Sequence, residues 1–289
     1  MVRVFSRHWP EYLMEGAGVG VLVIAACTFA MLLFHPDSPA PEVVQNVVVR
    51  RLLMGVAMGS TAILLIYSAW GKQSGAHFNP AVTLAYFRLQ RVPGPDAAWY
   101  VLSQLSGALL AVGMMVLLFR PWLSHPVIHY VSAMPGPYGV GVTWATEFVA
   151  SFLLMSILLI ASNSRRFARW TGVFAGLFTG ANASVLVPLG GTSLNPARSL
   201  ASAVPAHVWT SIWIYLTATP IGMLAAAAYY IRQRGVDSVF CAKLHHQNDR
   251  RCIFCETRAA QAERRETTAA CNQLPAEASK RETSSISVV

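Results

Sequence analysis

The sequence predicts an all-α membrane protein in which six transmembrane helices and two re-entrant half-helices form an inverted repeat. Three observations support this fold class. The 289-residue chain is 54% hydrophobic and only 12% charged, whereas soluble domains carry about 25% charged residues. Six apolar stretches are long enough to cross a hydrocarbon core of about 30 Å as helices. A short phrase that contains Asn-Pro-Ala occurs twice, once in each half of the chain.

The six stretches are predicted to span the membrane at residues 13–34, 52–70, 97–119, 140–161, 170–189 and 208–231. The first stretch lacks a convincing small-residue cleavage site and runs for about 22 residues, which favours a retained span over a cleaved signal peptide. Glycines four residues apart allow two helices to pack closely. Gly55 and Gly59 have this spacing in the second span, and Gly172, Gly176 and Gly180 have it in the fifth.

Basic residues are unevenly distributed between the two sides of this six-span arrangement. One side carries both termini and the larger group, which consists of Arg3, Arg7, Lys72, Arg88, Arg91, Arg165, Arg166, Arg169 and ten basic residues of the tail. The other side carries Arg50, Arg51, Arg120 and Arg198. Because cytoplasmic loops are enriched in Lys and Arg, both termini are predicted to be cytoplasmic in a multi-pass protein of the plasma or inner membrane. The same bias explains the net charge of +9, so no nucleic-acid partner is predicted.

The repeated phrase reads HFNPAVTLA at residues 77–85 and SLNPARSLA at residues 193–201. Its shared core is Asn79-Pro80-Ala81 in the first copy and Asn195-Pro196-Ala197 in the second. Asn is a preferred helix N-cap, and Pro fits the first helical position because its missing N–H would be unpaired there anyway. About ten residues follow each core before the next polar break, which is roughly 15 Å of helix or half a bilayer.

The two halves of the channel region, residues 1–119 and 140–231, share one order of features. Each half has a span with a single Glu, which is Glu15 or Glu147, then a second span, the Asn-Pro-Ala segment and a third span. Three spans per half place the two halves in opposite orientations. The two half-helices are therefore expected to enter from opposite faces and to meet near the membrane centre, where transporters and channels with inverted repeats have their sites.

These features resemble the aquaporin family of membrane channels over residues 11–231. The twin Asn-Pro-Ala boxes, Arg198 directly after the second box and a Glu in spans one and four carry the resemblance. It implies one pore per subunit in a homotetramer that passes water or small neutral solutes and excludes protons and ions. It also implies that the amides of Asn79 and Asn195 lie at the pore centre and that Arg198 lines a narrower outer filter.

The resemblance further implies roles for the acidic residues inside the spans. Glu15 and Glu147 are expected to accept hydrogen bonds from backbone N–H groups of the folded-in loops, which we favour over a proton relay. His77 either lines the cytoplasmic vestibule as a pH gate or fixes the loop by hydrogen bonds, and we favour the second role.

Four family filter positions, counted from the two boxes, fall on Gly59, Ala183, Thr192 and Arg198. Water channels of the family have a Phe and a His at the first two, and glycerol facilitators have bulky aromatics and an Asp after the Arg. A filter with Gly and Ala resembles instead the plant channels for silicic acid and other metalloids. We therefore predict a pore for water and for solutes of the glycerol, urea or metalloid-acid type.

Three alternatives remain open at this point. Gly59 can serve helix packing alone, and a large neighbouring side chain then restores a strictly water-selective pore. An ion-coupled secondary transporter also uses inverted repeats and broken helices, but no Asp or Glu lies beside the boxes to bind a coupling ion. No span carries a recognisable catalytic pattern, so the chain is not predicted to be an enzyme.

The regions outside the two halves have distinct compositions. Residues 120–139 are rich in Pro and Gly and predict an extracellular loop. Residues 232–289 predict a cytoplasmic tail whose end, from about residue 256, lacks enough apolar residues to fold.

The tail also contains a cluster of possible metal ligands. A structural zinc site is predicted within residues 241–255 at Cys241, Cys252 and Cys255 together with one of two adjacent histidines, assigned to His245. The alternative is a short basic segment with reduced thiols. Conduction itself is predicted to need no cofactor.

Overall fold

The computed structural model describes residues 2–190 and 193–260 of the chain. Its regular structure is helical throughout this described part, which confirms the predicted all-α fold. The chain divides into two compact units, Met1–Arg251 and Cys252–Val289. Thr192 and the part of the predicted disordered tail beyond residue 260 lie outside the described residues.

Eleven α-helices are resolved in the described part of the first unit. They are α1 (Val2–Phe34), α2 (Ala40–Val43), α3 (Val47–Tyr67), α4 (Ala69–Ser74), α5 (Pro80–Arg88), α6 (Gly94–Leu123), α7 (Gly139–Ser162), α8 (Thr171–Val185), α9 (Val187–Gly190), α10 (Pro196–Ala206) and α11 (Ile212–Arg234). In the second unit, residues 253–260 are helical.

Five described helices are long and apolar enough to cross a membrane, namely α1, α3, α6, α7 and α11. The fifth predicted span, residues 170–189, is divided between α8, which has 15 residues, and the short α9. Fifteen residues of α-helix rise about 22 Å, which is less than the hydrocarbon thickness. The break at Leu186 has a local cause, because Pro188 has no N–H to donate to the Ser184 carbonyl four residues before it and its ring crowds that carbonyl.

The helices pair in an arrangement that reflects the predicted inverted repeat. Within each half the first long helix packs against the last, so α1 contacts α6 and α7 contacts α11. The second helices of the two halves, α3 and α8, pack against each other. The predicted half-helices are α5, with nine residues, and α10, with 11. The order of helices in Val2–Leu123 is therefore repeated in Gly139–Arg234.

Glycines at the helix crossings set how closely the backbones approach. A Cβ atom on Gly59 of α3 would lie 2.7 Å from the Gly176 carbonyl oxygen and 3.3 Å from the Gly180 Cα of α8. A Cβ atom on Gly107 of α6 would overlap the backbone of Gly16 in α1. Gly59 thus has the helix-packing role that was one of its two sequence-based interpretations.

The crossing of α1 and α6 gives a direct test of this packing. We expect Gly107→Ala to lower the free energy of unfolding by about 1–3 kcal/mol, because the new methyl group forces the two backbones apart. Gly113→Ala is the matched control on the same helix, since a Cβ atom there meets nothing within 4 Å. Thermal unfolding in detergent measures both variants, and equal midpoints for the two would contradict the assigned role of Gly107.

Candidate functional site

The half-helices α5 and α10 begin at the two asparagines of the repeated phrase. The Asn79 side-chain oxygen accepts a hydrogen bond of 2.9 Å from the Ala81 N–H. The Asn195 side-chain oxygen accepts one of 3.0 Å from the Ala197 N–H. Each asparagine has extended backbone and is followed by a proline at the first helical position. The side-chain oxygens are therefore occupied by capping, and the amide N–H groups point elsewhere.

The amide groups link the two half-helices to each other. The Asn79 Nδ2 donates to the Leu194 carbonyl at 2.5 Å. The Asn195 Nδ2 donates to the Phe78 carbonyl at 2.8 Å. Each asparagine thus donates to the residue that precedes the other, and the positive N-terminal ends of α5 and α10 lie next to each other. Because an amide has two N–H groups, each asparagine retains a second donor.

The backbone before each asparagine adopts the left-handed conformation. Phe78 has a φ of 46° and Leu194 has a φ of 54°. Non-glycine residues in this region cost of order 1–3 kcal/mol and persist only where their surroundings hold them. The conformation turns the backbone N–H groups of these loops away from the half-helix, so they need acceptors elsewhere.

Glu15 supplies the acceptors for the first loop. Its carboxylate accepts hydrogen bonds from the N–H of His77 at 3.0 Å and of Phe78 at 2.6 Å. It also accepts from the Ser74 hydroxyl at 2.8 Å and from the Gln104 amide at 2.8 Å. Glu15 is fully buried, so these four donors together compensate its desolvation.

Glu147 does the same for the second loop. Its carboxylate accepts hydrogen bonds from the Ser193 N–H at 2.5 Å, the Leu194 N–H at 3.1 Å and the Thr219 hydroxyl at 3.3 Å. Both glutamates thus bind the two residues that precede an Asn-Pro-Ala core, which is the geometry expected of them from the sequence. Gln104 and Thr219 were not singled out in the sequence, although a polar residue inside an apolar span is a signal that would have found them.

One cavity of about 560 Å³ passes the tips of both half-helices. Asn79, Asn195 and Arg198 line it. Its wall also includes Ile128 in the connection between α6 and α7 and Leu244 after α11. The lining is mainly apolar, so the few polar groups in the wall fix where a polar solute forms hydrogen bonds.

The structure does not bring all the predicted filter residues to one place in the cavity wall. Ala183 lines the cavity together with Arg198, and Thr192 lies outside the described residues. Gly59 is not among the described α3 residues that line the cavity, which are Val47, Arg51, Met54, Met58, Ala62 and Ile66. The difference arises because adjacent residues of a helix point in directions about 100° apart, and Gly59 faces α8.

Two unsatisfied polar groups lie in the same wall. The Arg198 Nη1 is buried and has no hydrogen-bond partner among the described residues. The Asn182 Oδ1, next to Ala183 in α8, is likewise buried and unbonded within the described part of the chain. Both side chains line the cavity, although these two atoms are themselves covered by neighbouring atoms. Asn182 was not identified from the sequence.

His77 occupies a structural position beside the first loop. Its Nε2 lies 2.8 Å from the Ala242 carbonyl oxygen, and its Nδ1 lies 3.0 Å from the Thr83 hydroxyl. Since a carbonyl only accepts, the Nε2 carries the proton, and the Nδ1 of a neutral ring accepts from Thr83. The ring also stacks on Tyr86 with centroids 5.2 Å apart. These contacts favour loop fixation over gating for this residue.

The predicted metal ligands of the tail are divided between the two units. In the first unit, the ligand atoms of Cys241 and His246 lie within 4.8 Å of each other. The ring of His245 instead packs edge-on against Tyr67, with centroids 5.0 Å apart. Burial, with Lys72 and Lys243 nearby, lowers the pKa of His245 below its usual value.

In the second unit, the ligand atoms of Cys252 and Cys255 lie within 4.8 Å of each other. The two cysteines are separated by about one helical turn, which brings both sulfurs to one side of the chain. The structure thus favours His246 over the predicted His245 as the histidine that accompanies Cys241.

Comparison with known proteins places this geometry in a family. The family described as Major intrinsic protein matches residues 4–230. A relative from Nicotiana alata, described as "Probable aquaporin NIP-type", is 35% identical over 183 residues, which are 63% of this chain and 66% of the relative. "Aquaporin NIP1-1" from Arabidopsis thaliana is 34% identical over 234 residues, which are 78% of this chain and 74% of the relative.

A solved structure shares the fold. The X-ray structure of the aquaglyceroporin from Plasmodium falciparum matches with a TM-score of 0.65 and covers 80% of this chain and 99% of its own. Its sequence identity is 18%, so this likeness supports the arrangement of helices and does not identify a solute.

The buried carboxylate of Glu147 gives a test of the loop geometry. We expect Glu147→Gln to lower the free energy of unfolding by about 2–4 kcal/mol, because the amide offers one acceptor oxygen and brings an N–H group toward the N–H donors of the loop. Glu42→Gln, at an exposed carboxylate of α2, is the control. Thermal unfolding in detergent measures the difference, and equal midpoints would show that Glu147 does not hold the loop.

Proposed function

This chain belongs to the major intrinsic protein family, and we propose that it conducts water and small neutral solutes passively across a membrane. One observation carries the proposal most directly. Two half-helices meet at their N-terminal ends, and the capping asparagines of both line a single cavity. Irregular backbone at membrane depth is tolerated only where it is buried in protein or lines a cavity. The relatives are themselves described as aquaporins, which supports water as a permeant.

The same geometry accounts for the exclusion of ions and protons. The N-terminal ends of α5 and α10 each carry about half a positive charge, and they repel cations at the point where they meet. The remaining amide N–H groups of Asn79 and Asn195 donate to the oxygen of a passing molecule. A water held as an acceptor from both sides is poorly placed to pass a proton along a water file. Arg198 adds a fixed positive charge to the same cavity.

The lining favours solutes that carry hydroxyl groups. A hydroxyl both donates and accepts, and two side chains that line the cavity supply matching groups, since Arg198 carries donors and Asn182 carries donors and an acceptor. Ala183 contributes little bulk to the wall, and the Met58 side chain is flexible enough to adapt to a solute. We therefore propose small polyols, urea or neutral metalloid acids as permeants beside water.

Strict water selectivity is the second candidate, and a specific observation favours it. Met58 and not Gly59 lines the described part of the cavity. If the Met58 side chain fills the space between α3 and Arg198, only water passes. The two candidates differ in solute flux and agree in water flux.

The cavity wall argues against an ion-coupled carrier. Among the described residues that line it, there is no Asp or Glu, whereas coupling ions in secondary transporters are bound near the membrane midplane. Conduction through this cavity needs no cofactor in our proposal, and no catalytic group is assigned to it.

The proposal also covers the orientation of the chain in the membrane and its assembly into an oligomer. The excess of Lys and Arg on the side of the termini supports cytoplasmic termini in a plasma or inner membrane. Large apolar side chains such as Leu110, Leu117 and Leu177 are exposed on the outer surface of the helices. Such a surface faces lipid or neighbouring subunits, and we propose a homotetramer with one pore in each subunit.

Stopped-flow light scattering on proteoliposomes tests the function. Water, glycerol, urea and boric acid are compared at equal protein density, with empty liposomes as the reference. Fast, unsaturable water flux without an ion gradient supports a channel. Solute flux above the reference supports the wider pore, whereas water flux alone supports the strictly water-selective candidate. Water flux equal to that of empty liposomes would contradict the proposed function.

Arg198 gives the first prediction for selectivity. We expect Arg198→Ala to retain water flux and to raise proton or cation leakage, because the fixed charge of the filter is lost. Arg120→Ala is the control, since Arg120 is exposed at the end of α6. A pH-sensitive dye inside the liposomes measures the leakage, and unchanged selectivity in Arg198→Ala would count against this pore.

Ala183 gives the second prediction. We expect Ala183→Phe to reduce glycerol flux about tenfold more than water flux, which corresponds to an extra barrier of about 1.4 kcal/mol for the larger solute. Ala181→Phe makes the same substitution at an exposed residue of the same helix that is not among the described cavity-lining residues, and it serves as the control. Equal losses of water and glycerol flux in Ala183→Phe would indicate that Ala183 does not set the width.

A further inference from the structure

The exposure of the cavity wall changes along helix α3. The residues of α3 that line the cavity lie three or four positions apart from Val47 to Ile66, and this stripe covers about 28 Å of helix. Val47 is 42% exposed, whereas Ile66 is only 5% exposed. A lining residue that solvent scarcely reaches indicates a narrow cavity at that point. The cavity is therefore accessible near the start of α3 and nearly closed near Ile66.

Helix α8 shows the same change in the opposite chain direction. The start of α8 lies against the end of α3, because a Cβ atom on Gly172 would meet the Ile66 side chain. Ala175, near the start of α8, lines the cavity and is buried, whereas Val187, just after α8, lines it and is exposed. Both helices thus place the narrow part of the cavity where α3 ends and α8 begins.

The chain after α11 folds back onto this narrow part. We call residues 239–245 the closing segment. Its backbone is irregular, yet all of its residues except Phe240 are buried. Leu244 lines the cavity. The ring of the next residue, His245, packs edge-on against Tyr67, which directly follows Ile66. The closing segment therefore supplies a residue to the pore wall from beyond the last span.

Hydrogen bonds attach the closing segment to the loop that leads to the first Asn-Pro-Ala core. The Ala242 carbonyl accepts a hydrogen bond from the His77 Nε2 at 2.8 Å. The Leu244 N–H donates to the Gly75 carbonyl at 3.0 Å. Buried irregular chain needs specific partners for its backbone groups, and these two bonds provide them beside the pore.

The bond to Ala242 also occupies a polar group of the pore wall. His77 lines the cavity, and in the neutral ring only the Nε2 carries a proton when the Nδ1 accepts from Thr83. That proton is donated to the Ala242 carbonyl. The closing segment thus engages the N–H donor of His77 and adds the apolar residue Leu244 to the same wall.

Two basic residues fix the closing segment in place. The Arg91 Nε donates to the Val239 carbonyl at 2.7 Å, which holds the beginning of the segment. Lys243 is buried, and its Nζ donates to the carbonyls of Arg250 at 3.0 Å and Arg251 at 3.1 Å. A buried ammonium group is stable only with such partners. The segment is therefore held by contacts on both sides of Ala242.

We propose that the closing segment forms a second constriction of the pore and that Leu244 determines its width. This role rests on the proposed channel function. The constriction is separate from the outer filter, because Ala183, which lines the cavity with Arg198, lies eight residues beyond Ala175 in α8, or about 12 Å of helix. A solute that enters past Arg198 therefore meets a second, apolar narrowing.

An apolar narrowing discriminates between solutes in two ways. It excludes wide solutes by size, and it withholds hydrogen bonds from polar solutes while they pass. Glycerol is wider than water and carries three hydroxyl groups. The Leu244 side chain is thus expected to retard glycerol more than water.

A size series at Leu244 tests the constriction by stopped-flow light scattering on proteoliposomes of the full-length chain. Leu244→Ala is expected to raise water flux severalfold and glycerol flux by a larger factor, whereas Leu244→Trp is expected to lower both. A gain of flux in Leu244→Ala cannot come from misfolded protein, which conducts nothing. Phe240→Ala is the matched control, since Phe240 is the exposed residue of the same segment, and it is expected to conduct like the wild type.

The outcomes separate this inference from the proposed function. Wild-type flux above that of empty liposomes, with the same water and glycerol flux in Leu244→Ala, would overturn the constriction and leave the channel function intact. Flux equal to that of empty liposomes in the wild type and in Leu244→Ala would overturn the proposed function, and the constriction with it.

A second variant tests how the segment is held. Arg91→Gln is expected to raise water flux with Leu244 unchanged, because the beginning of the closing segment loses its bond to Arg91. Arg88→Gln, at an exposed arginine three residues earlier, is the control. Raised flux in Leu244→Ala together with unchanged flux in Arg91→Gln would overturn the anchoring role of Arg91.

Discussion

Hydrogen bonds from backbone N–H groups to two buried carboxylates hold the centre of this protein together. Glu15 and Glu147 accept them from the residues that precede the two asparagines. Irregular backbone inside a membrane protein has no water to bind its polar groups. The carboxylates supply that missing acceptor at the two places where the chain turns back. Together with the asparagine amides that bond to the carbonyls of Phe78 and Leu194, they hold the left-handed backbone at these two residues.

The inverted repeat turns this local arrangement into a pore. Because the halves enter from opposite sides, the loop held by Glu15 meets the loop held by Glu147, and each asparagine bonds to the backbone of the other loop. The positive ends of two helices are thereby fixed next to each other in one cavity wall. A single half-helix would provide only one capping asparagine and one partial positive charge. The pair offers a barrier to cations with donors for neutral solutes on the same surface.

Much of this architecture could be predicted from short stretches of the sequence. An asparagine before a proline fixes a helix start through its own side chain, so α5 and α10 begin where the motif predicts, at Pro80 and Pro196. The all-helical fold and the family followed from apolar stretches and the paired motif. The fifth predicted span, residues 170–189, is interrupted at Leu186, a break that Pro188 marks and that hydrophobicity alone does not reveal. Hydrophobicity reports burial or lipid contact, and backbone continuity is a separate property.

The amino-acid sequence by itself determined the helices, the half-helix starts and the paired acidic residues, since each depends on neighbours close in the chain. Only the tertiary structure decided that Met58 faces the cavity while Gly59 packs on α8, that Asn182 lies in the wall and that Leu244 reaches it. It also favoured His246 over His245 beside Cys241. These outcomes depend on the rotation of a helix about its axis or on contacts between distant residues, and side-chain direction changes by about 100° from one helical residue to the next.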